Sequence, residues 1–290
     1  MPNTLVLPKN YTALLDEVYK RASVTSDLIG DSAMVRAGVN VNEICYPQMS
    51  VTGLGDYDRN SGYTSGSVNL EWKTVAYNYD RGTKISVDTM DNQESFNLAL
   101  GKAGSELIRT KVAPEADAFT FATLAGIEGI STATAATFAN ASEFLESLIE
   151  AKNRMDEDEV PEEERYLYAT PTLLNGVMAL DTTKSREILN CFANKKSVPQ
   201  SRFYTAIDML DGKSAGEEAG HYKKAEAGKD INYMIIHKPA LIKYDKHIAN
   251  DLISPANNPD SDSYILKYRK YGLVDVYKNK AAGIYLSHKA

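Results

Sequence analysis

Apolar and polar residues repeat at two different periods along this chain, and the switches between them divide it into elements. Tyr11, Leu14, Leu15, Val18, Tyr19 and Ala22 fall on one face of a helix that Asn10 is placed to cap. Residues 23–41 read as extended, with breaks at Gly30 and Gly38. Two strand-like arms follow, Ile44 to Val51 and Val68 to Tyr79, joined by a long polar tip from Gly53 to Gly66. Gly82 sets off a further short strand, Thr83 to Val87. From Asp91 to Leu124 the period becomes helical, with Phe96, Leu100, Ala103 and Leu107 in phase. Pro114 either kinks this helix or opens a second one in its first turn. A continuous helix of roughly thirty residues would be about 45 Å long, enough to brace an elongated molecule.

Gly126 and Gly129 end that element, and a Thr/Ala-rich connector runs from Ser131 to Ala139. Asn140 and Glu143 have capping-box spacing and open a helix to about Met155, with Phe144, Leu145, Leu148 and Ile149 on its buried face. An acidic turn from Asp156 to Glu164 leads into a strand, Arg165–Ala169, and Thr170-Pro171 opens a helix to Leu180. That order predicts a compact α+β or α/β lobe. Residues 208–229 are polar and rich in Gly, Ala, Glu and Lys, and read as a mobile loop. Ile231–Ile236 reads as a buried strand and Pro239–Tyr244 as the start of another. Alternation over Tyr264–Tyr268, Leu273–Tyr277 and Ala281–Leu286, punctuated by Gly272 and Lys278–Lys280, predicts a closing set of strands.

The two arms carry or adjoin Tyr57, Tyr63, Trp72, Tyr77 and Tyr79. A lone two-stranded ribbon is marginal in water, and exposed aromatic ribbons with unpaired edges invite a partner. Composition points the same way: 18 Tyr stand against 7 Phe and 1 Trp. Tyrosine suits positions where a ring is buried on one side and its hydroxyl meets water or a neighbour. The net charge of -7 argues against general nucleic-acid binding, which needs clustered cations. The charge is uneven, since Lys238 to Ala290 holds nine Lys/Arg against five Asp/Glu. Cys45 and Cys191 are too far apart in sequence to read as a disulfide framework or a metal pair, as expected of a chain folded in a cytoplasm. The N-terminus lacks a signal-peptide pattern, and no apolar stretch approaches the roughly 20 residues that span a bilayer. No membrane partner is expected.

Catalytic parts are not found. His221, His237, His247 and His288 show no helical metal-pair spacing and no nearby Cys. Gly53-Leu54-Gly55 is not followed by the third glycine and helix of a phosphate cradle, and there is no nucleophile elbow. Asp56, Asp58 and Asn60 alternate like the start of a calcium loop, but Ser61 stands where glycine is needed and Ser67 where the bidentate Glu belongs. They read instead as a polar tip that pairs with a neighbouring subunit. The expectation is no enzyme, no catalytic, cofactor-binding or metal residues, and no cofactor.

The order of elements resembles the Hong-Kong-97-type major capsid proteins of tailed bacteriophages. The residues that carry the resemblance are the hairpin around Gly53–Gly66, the return arm from Trp72 to Val87, the brace segment Lys111–Asp117, and the tail from Lys267 through Tyr277 to Tyr285. The resemblance implies an α+β fold. An N-terminal arm would span residues 1–41, an extended β-hairpin (the E-loop) 42–90, and the spine helix of a peripheral domain 91–127. An axial α/β domain would follow over 128–245, with a return to the peripheral domain over 246–290. It implies a structural shell protein that self-assembles, through hexamers and pentamers, into an icosahedral phage head around double-stranded DNA. Implied partners are other copies of the chain, a portal protein, packaged DNA held without sequence-specific binding, and a separate scaffolding protein, since the chain begins almost at the arm. Implied locations are the virion and, during assembly, the host cytoplasm. The tip has no Lys, while Lys73 and Lys84 lie further back, which argues against the covalent cross-linking that some relatives use. An encapsulin-like bacterial nanocompartment shell is the alternative on the same fold. A soluble enzyme with an unrecognised site is the third class.

Overall fold

The computed structural model describes residues 23–30, 36–37, 42–60, 62–94 and 98–290. The helix expected over Tyr11–Ala22 lies outside these residues, as do Phe96 and Ser61. The body is built around a five-stranded sheet in the order β5-β13-β10-β6-β7. Its strands are β5 (Ser131–Thr132), β6 (Arg165–Ala169), β7 (Asn194–Ser197), β10 (Ile231–His237) and β13 (Ile284–His288). Helices cover it: α4 (Ala141–Glu157), α5 (Pro171–Leu180) and α6 (Thr183–Asn190).

Side chains of this sheet alternate between two cores. Tyr168, Met234, Ile236, Ile284 and Leu286 pack with Phe121, Leu124 and Leu28 on one side. Leu167, Ala169, Tyr233, Ile235 and Tyr285 pack with Phe144, Leu148 and Met155 on the other. A strand covered on both faces favours apolar residues on each side, and all of Ile231–His237 is buried, with Asn232 and His237 the polar members. The cap expected for α4 is present. Asn140 Oδ1 accepts the Glu143 amide at 3.0 Å, and the Glu143 carboxylate reaches back to the Ala139 amide at 2.8 Å.

A second sheet, in the order β11-β12-β4, is long and antiparallel. It comprises β4 (Tyr79–Asp88), β11 (Leu241–Ile253) and β12 (Ser263–Val276). Three expected breaks fall inside it. Gly82 lies within β4, opposite Arg269. A Cβ there would sit 2.9 Å from the Tyr268 carbonyl oxygen, so this glycine serves close strand approach rather than a turn. Gly272 likewise sits within β12. The boundary expected between 245 and 246 falls inside β11, and the final segment divides. Its first part stays in this sheet, and β13 joins the five-stranded one.

Beside this sheet run α1 (Thr89–Glu94), α2 (Leu98–Leu107) and α3 (Ala113–Ala125). One π turn, Ile108–Val112, joins α2 to α3. Proline has no N–H to give and its ring crowds the carbonyl four residues back. With Pro114 in the first turn of α3, a widened turn before it relieves both problems without ending the helical path.

Residues 208–229, expected as a loop, contain a hairpin, β8 (Ile207–Met209) with β9 (Tyr222–Lys224). Its loop is closed by a hydrogen bond from the Leu210 amide to the His221 carbonyl, 2.9 Å. Arg81 of β4 donates to the carbonyls of both Leu210 (2.7 Å) and His221 (3.3 Å), and to Glu115 of α3 at 2.7 Å. Glu115 is buried, which by itself raises a carboxyl pKa, yet the bonds from His221 and Arg81 hold it below its ordinary value.

Segment Ser23–Gly30 is tied down by one buried carboxylate. Asp117 of α3 accepts from the amides of Val24 and Thr25, from both nearby hydroxyls, and from Arg202 at 2.9 Å. Lys243 of β11 completes the knot by donating to the Thr25 carbonyl at 2.8 Å.

Candidate assembly interface

The ribbon consists of β2 (Glu43–Val51) and β3 (Val68–Ala76), with the two-residue β1 (Arg36–Ala37) beside β2. Its register pairs Pro47 with Trp72, Met49 with Leu70, and Val51 with Val68. Side chains two apart on a strand share a face, and directly paired residues share it too. These six therefore form one continuous apolar face. It is uncovered: Met49, Val51, Val68, Leu70 and Trp72 are each at least half exposed.

The opposite face changes character along its length. At the base, Ile44 and Tyr46 are buried against Ile242 and Leu273, with Val75 and Tyr277 beside them. The Tyr46 and Tyr277 rings meet edge to face at 4.9 Å. Further out the same face is polar, with Gln48 opposite Glu71 and Ser50 opposite Asn69. Glu71 gathers Lys73 at 2.5 Å and Asn69 at 3.1 Å, which lowers its pKa. One end of the ribbon is thus rooted in the body, and the outer part exposes a greasy face and a wet face.

The tip is closed by Thr52 and Ser67. The Thr52 amide donates to the Ser67 carbonyl at 3.0 Å, and the Ser67 amide to Thr52 Oγ1 at 2.8 Å. Asp58 and Gly62 exchange backbone hydrogen bonds, and Asp58 Oδ1 accepts the Asn60 amide at 2.7 Å. Tyr57 and Tyr63 pack edge to face at 4.9 Å while staying exposed, and Leu54 is fully exposed.

Of the five aromatics singled out from the sequence, Tyr57, Tyr63 and Trp72 stand on the tip and ribbon. Tyr77 and Tyr79 do not. Tyr77 lies under Tyr271 at 4.7 Å, and Tyr79 is buried in β4 with its hydroxyl on Glu115. Reading one unbroken arm from Val68 to Tyr79 hid the break between β3 and β4. The apolar face itself was missed, although the alternation of Pro47, Met49 and Val51 with Val68, Leu70 and Trp72 was its signal.

The candidate chemical groups remain scattered. Among the described residues no three of His, Cys, Asp and Glu are grouped to hold a metal ion. His221 contacts Glu115, and His288 Nδ1 lies 2.7 Å from the Lys289 carbonyl. His237 is buried, which lowers its pKa. Cys45 and Cys191 are free thiols. Lys73 is engaged by Glu71, and Lys84 stands on β4 opposite Lys267.

No family model and no curated protein matches the chain. Solved structures do. The mature capsid of bacteriophage PhiM1 superposes with a TM-score of 0.66 at 12% identity, over 98% of this chain and 92% of that one. The capsid structure of cyanophage P-SCSP1u gives 0.62 at 11% identity, over 98% and 93%. The chain has the Hong-Kong-97-type capsid fold. A virus-like particle from Pyrococcus furiosus shares this capsid fold less fully, with a TM-score of 0.51 at 10% identity over 83% of this chain and 86% of that one. At such identities the shared property is the path of the backbone.

Proposed function

We propose that this protein is a major capsid protein of a tailed bacteriophage, a structural subunit that self-assembles into an icosahedral head. The observation that carries the reading is the uncovered apolar face of the ribbon. A monomer gains nothing from holding Met49, Val51, Val68, Leu70 and Trp72 in water on a long projection. A subunit that lays the ribbon on a neighbour buries them. Heterologous contacts closed by symmetry then build rings and shells, and many weak contacts act together.

In this reading the ribbon is the E-loop, the α1–α3 path is the spine, the β11-β12-β4 sheet is peripheral, and the five-stranded sheet is axial. A separate scaffold, a portal and DNA packed without sequence reading are the partners, with the virion as destination and the host cytoplasm as the assembly site. The acidic charge of -7 suits a wall that does not grip packaged DNA. Among the described residues no helix is long and apolar enough to cross a membrane. The Pyrococcus furiosus particle keeps an encapsulin-like nanocompartment as the second reading. The higher scores and fuller coverage of the phage capsids favour the first.

Negative-stain electron microscopy of the purified protein, alone and with a candidate scaffold, is the test. Closed shells, tubes or capsomer rings are expected, and shell diameter separates a phage head from a small compartment. A protein that stays monomeric under both conditions overturns the reading.

A further inference from the structure

If the ribbon is an assembly arm, its tip needs a receiving site, and a cleft of ≈ 520 Å³ opens where the ribbon leaves the body. Tyr46, Pro47 and Met49 of β2 line one part, and Pro239, Leu241 and Tyr277 another. Lys238, Lys278 and Lys280 also line it, against the single carboxylate of Glu164. Lys280 is partly engaged, donating to the Pro239 carbonyl at 3.2 Å. The ammonium groups of Lys238 and Lys278 have no ion pair among the described residues. Gln48 lies along the same cleft with its Nε2 donating to Asn279 at 2.8 Å. Its buried Oε1 has no donor among the described residues. The cleft is therefore apolar, cationic and short of one hydrogen-bond donor.

We propose that this cleft receives the ribbon tip of a second copy of the chain. This rests on the shell reading above and gives it a specific contact. The tip carries the complementary set: exposed Leu54, Tyr57 and Tyr63 for the apolar walls, Asp56 and Asp58 for the lysines, and tyrosine hydroxyls as donors. A chain's own tip does not reach its own cleft. The ladder stays paired out to Val51 and Val68, and Thr52–Ser67 extends it, so the arm carries the tip away from Gln48 at about 3.3 Å per residue. The contact is therefore head-to-tail, tip into base, and it repeats from one copy to the next.

The test is charge reversal with rescue. One variant is Lys238→Glu with Lys278→Glu, a second is Asp56→Lys with Asp58→Lys, and a third combines all four. Like charges facing each other across an interface repel, so each pair alone lowers the yield of assembled particles by at least about tenfold. The combined variant recovers most of that yield. Circular dichroism of the dissociated subunits checks that all three fold. Carbodiimide coupling of wild-type assemblies is the independent readout, and peptide mapping is expected to join Asp56 or Asp58 to Lys238 or Lys278. Normal assembly of both pairs overturns the proposal, as does a combined variant without rescue, or coupling that links these lysines to other carboxylates only. All three leave the shell reading standing. A wild type that never assembles removes the shell reading, and this contact with it.

Discussion

The five-stranded sheet and the ribbon are built on the same two-residue alternation and end in opposite states. In β10 the residues pointing each way meet a core, with Met234 and Ile236 on one side and Tyr233 and Ile235 on the other. In the outer ribbon one face is polar, and the other carries Met49, Val51, Val68, Leu70 and Trp72, each at least half exposed. The first arrangement stores its stabilisation inside the subunit. The second holds it back until another surface arrives. Subunit stability and assembly should therefore respond to different residues, and that separation can be attacked from both sides.

The largest effect on the subunit is expected from Asp117→Ala. It takes the carboxylate away from buried Arg202 and strips the acceptor from the Val24 and Thr25 amides. Breaking such a pair costs about 3–5 kcal/mol, and each abandoned donor adds to that. Urea unfolding of the dissociated subunit is the measurement, and a loss under 1 kcal/mol, far below that range, would show that the knot is not structural. Phe121→Ala comes next, at about 3–5 kcal/mol, because Phe121 is fully enclosed by Tyr168 and Phe203 edge contacts.

A smaller effect depends on pH. Burial pushes Lys243 down to about 8, below its unfolded value. The unfolded chain then binds more protons than the folded one above that point, so this group adds stability as pH rises from about 8 toward the unfolded lysine value of about 10.4. Buried tyrosines such as Tyr168 and Tyr233 have raised values and act in the opposite sense as the unfolded phenol range is reached. The clean window is therefore pH 8 to about 9.5. Lys243→Met should flatten the rise in the urea midpoint there, and an unchanged slope would remove Lys243 as its source.

The smallest subunit effect belongs to the ribbon. Leu70→Ser with Trp72→Ser should move subunit stability by no more than about 0.5 kcal/mol per site while abolishing particles. A core-sized loss of stability would mean that the face is covered within the monomer. Trp72 is also a reporter, being half exposed in the subunit. Its emission should shift to the blue on assembly, and an emission unchanged between subunits and particles would take Trp72 out of the contact.

Local signals were legible in the sequence where local chemistry decides. Asn140 and Glu143 announced the start of α4, the mostly apolar run Ile231–Ile236 announced a buried strand, and the two arms announced the ribbon. What stayed hidden depends on partners far along the chain. Asp117 reads as one more acid on a helix until Thr25 and Arg202 arrive from 92 and 85 residues away. Gly82 and Gly272 read as breaks because the strands that need their missing side chains lie elsewhere in the sequence. The hairpin β8–β9 was lost in a polar stretch because it is held partly by Arg81, whose role appears only when β4 is in place. The apolar ribbon face was in the sequence, but only the register shows that its two halves coincide.

The Arg81 clasp also bears on what the loop between β8 and β9 tolerates. Both ends are fixed from outside, at Leu210 and His221, so the base of the hairpin stays clasped if the stretch between Lys213 and Glu217, itself tied to Asp211, is lengthened. Doubling the length of such a loop costs only about 0.6 kcal/mol in closure entropy. In the proposed shell, a foreign epitope spliced in at that point would be carried once per copy, making the clasp a mounting bracket for repetitive antigen display.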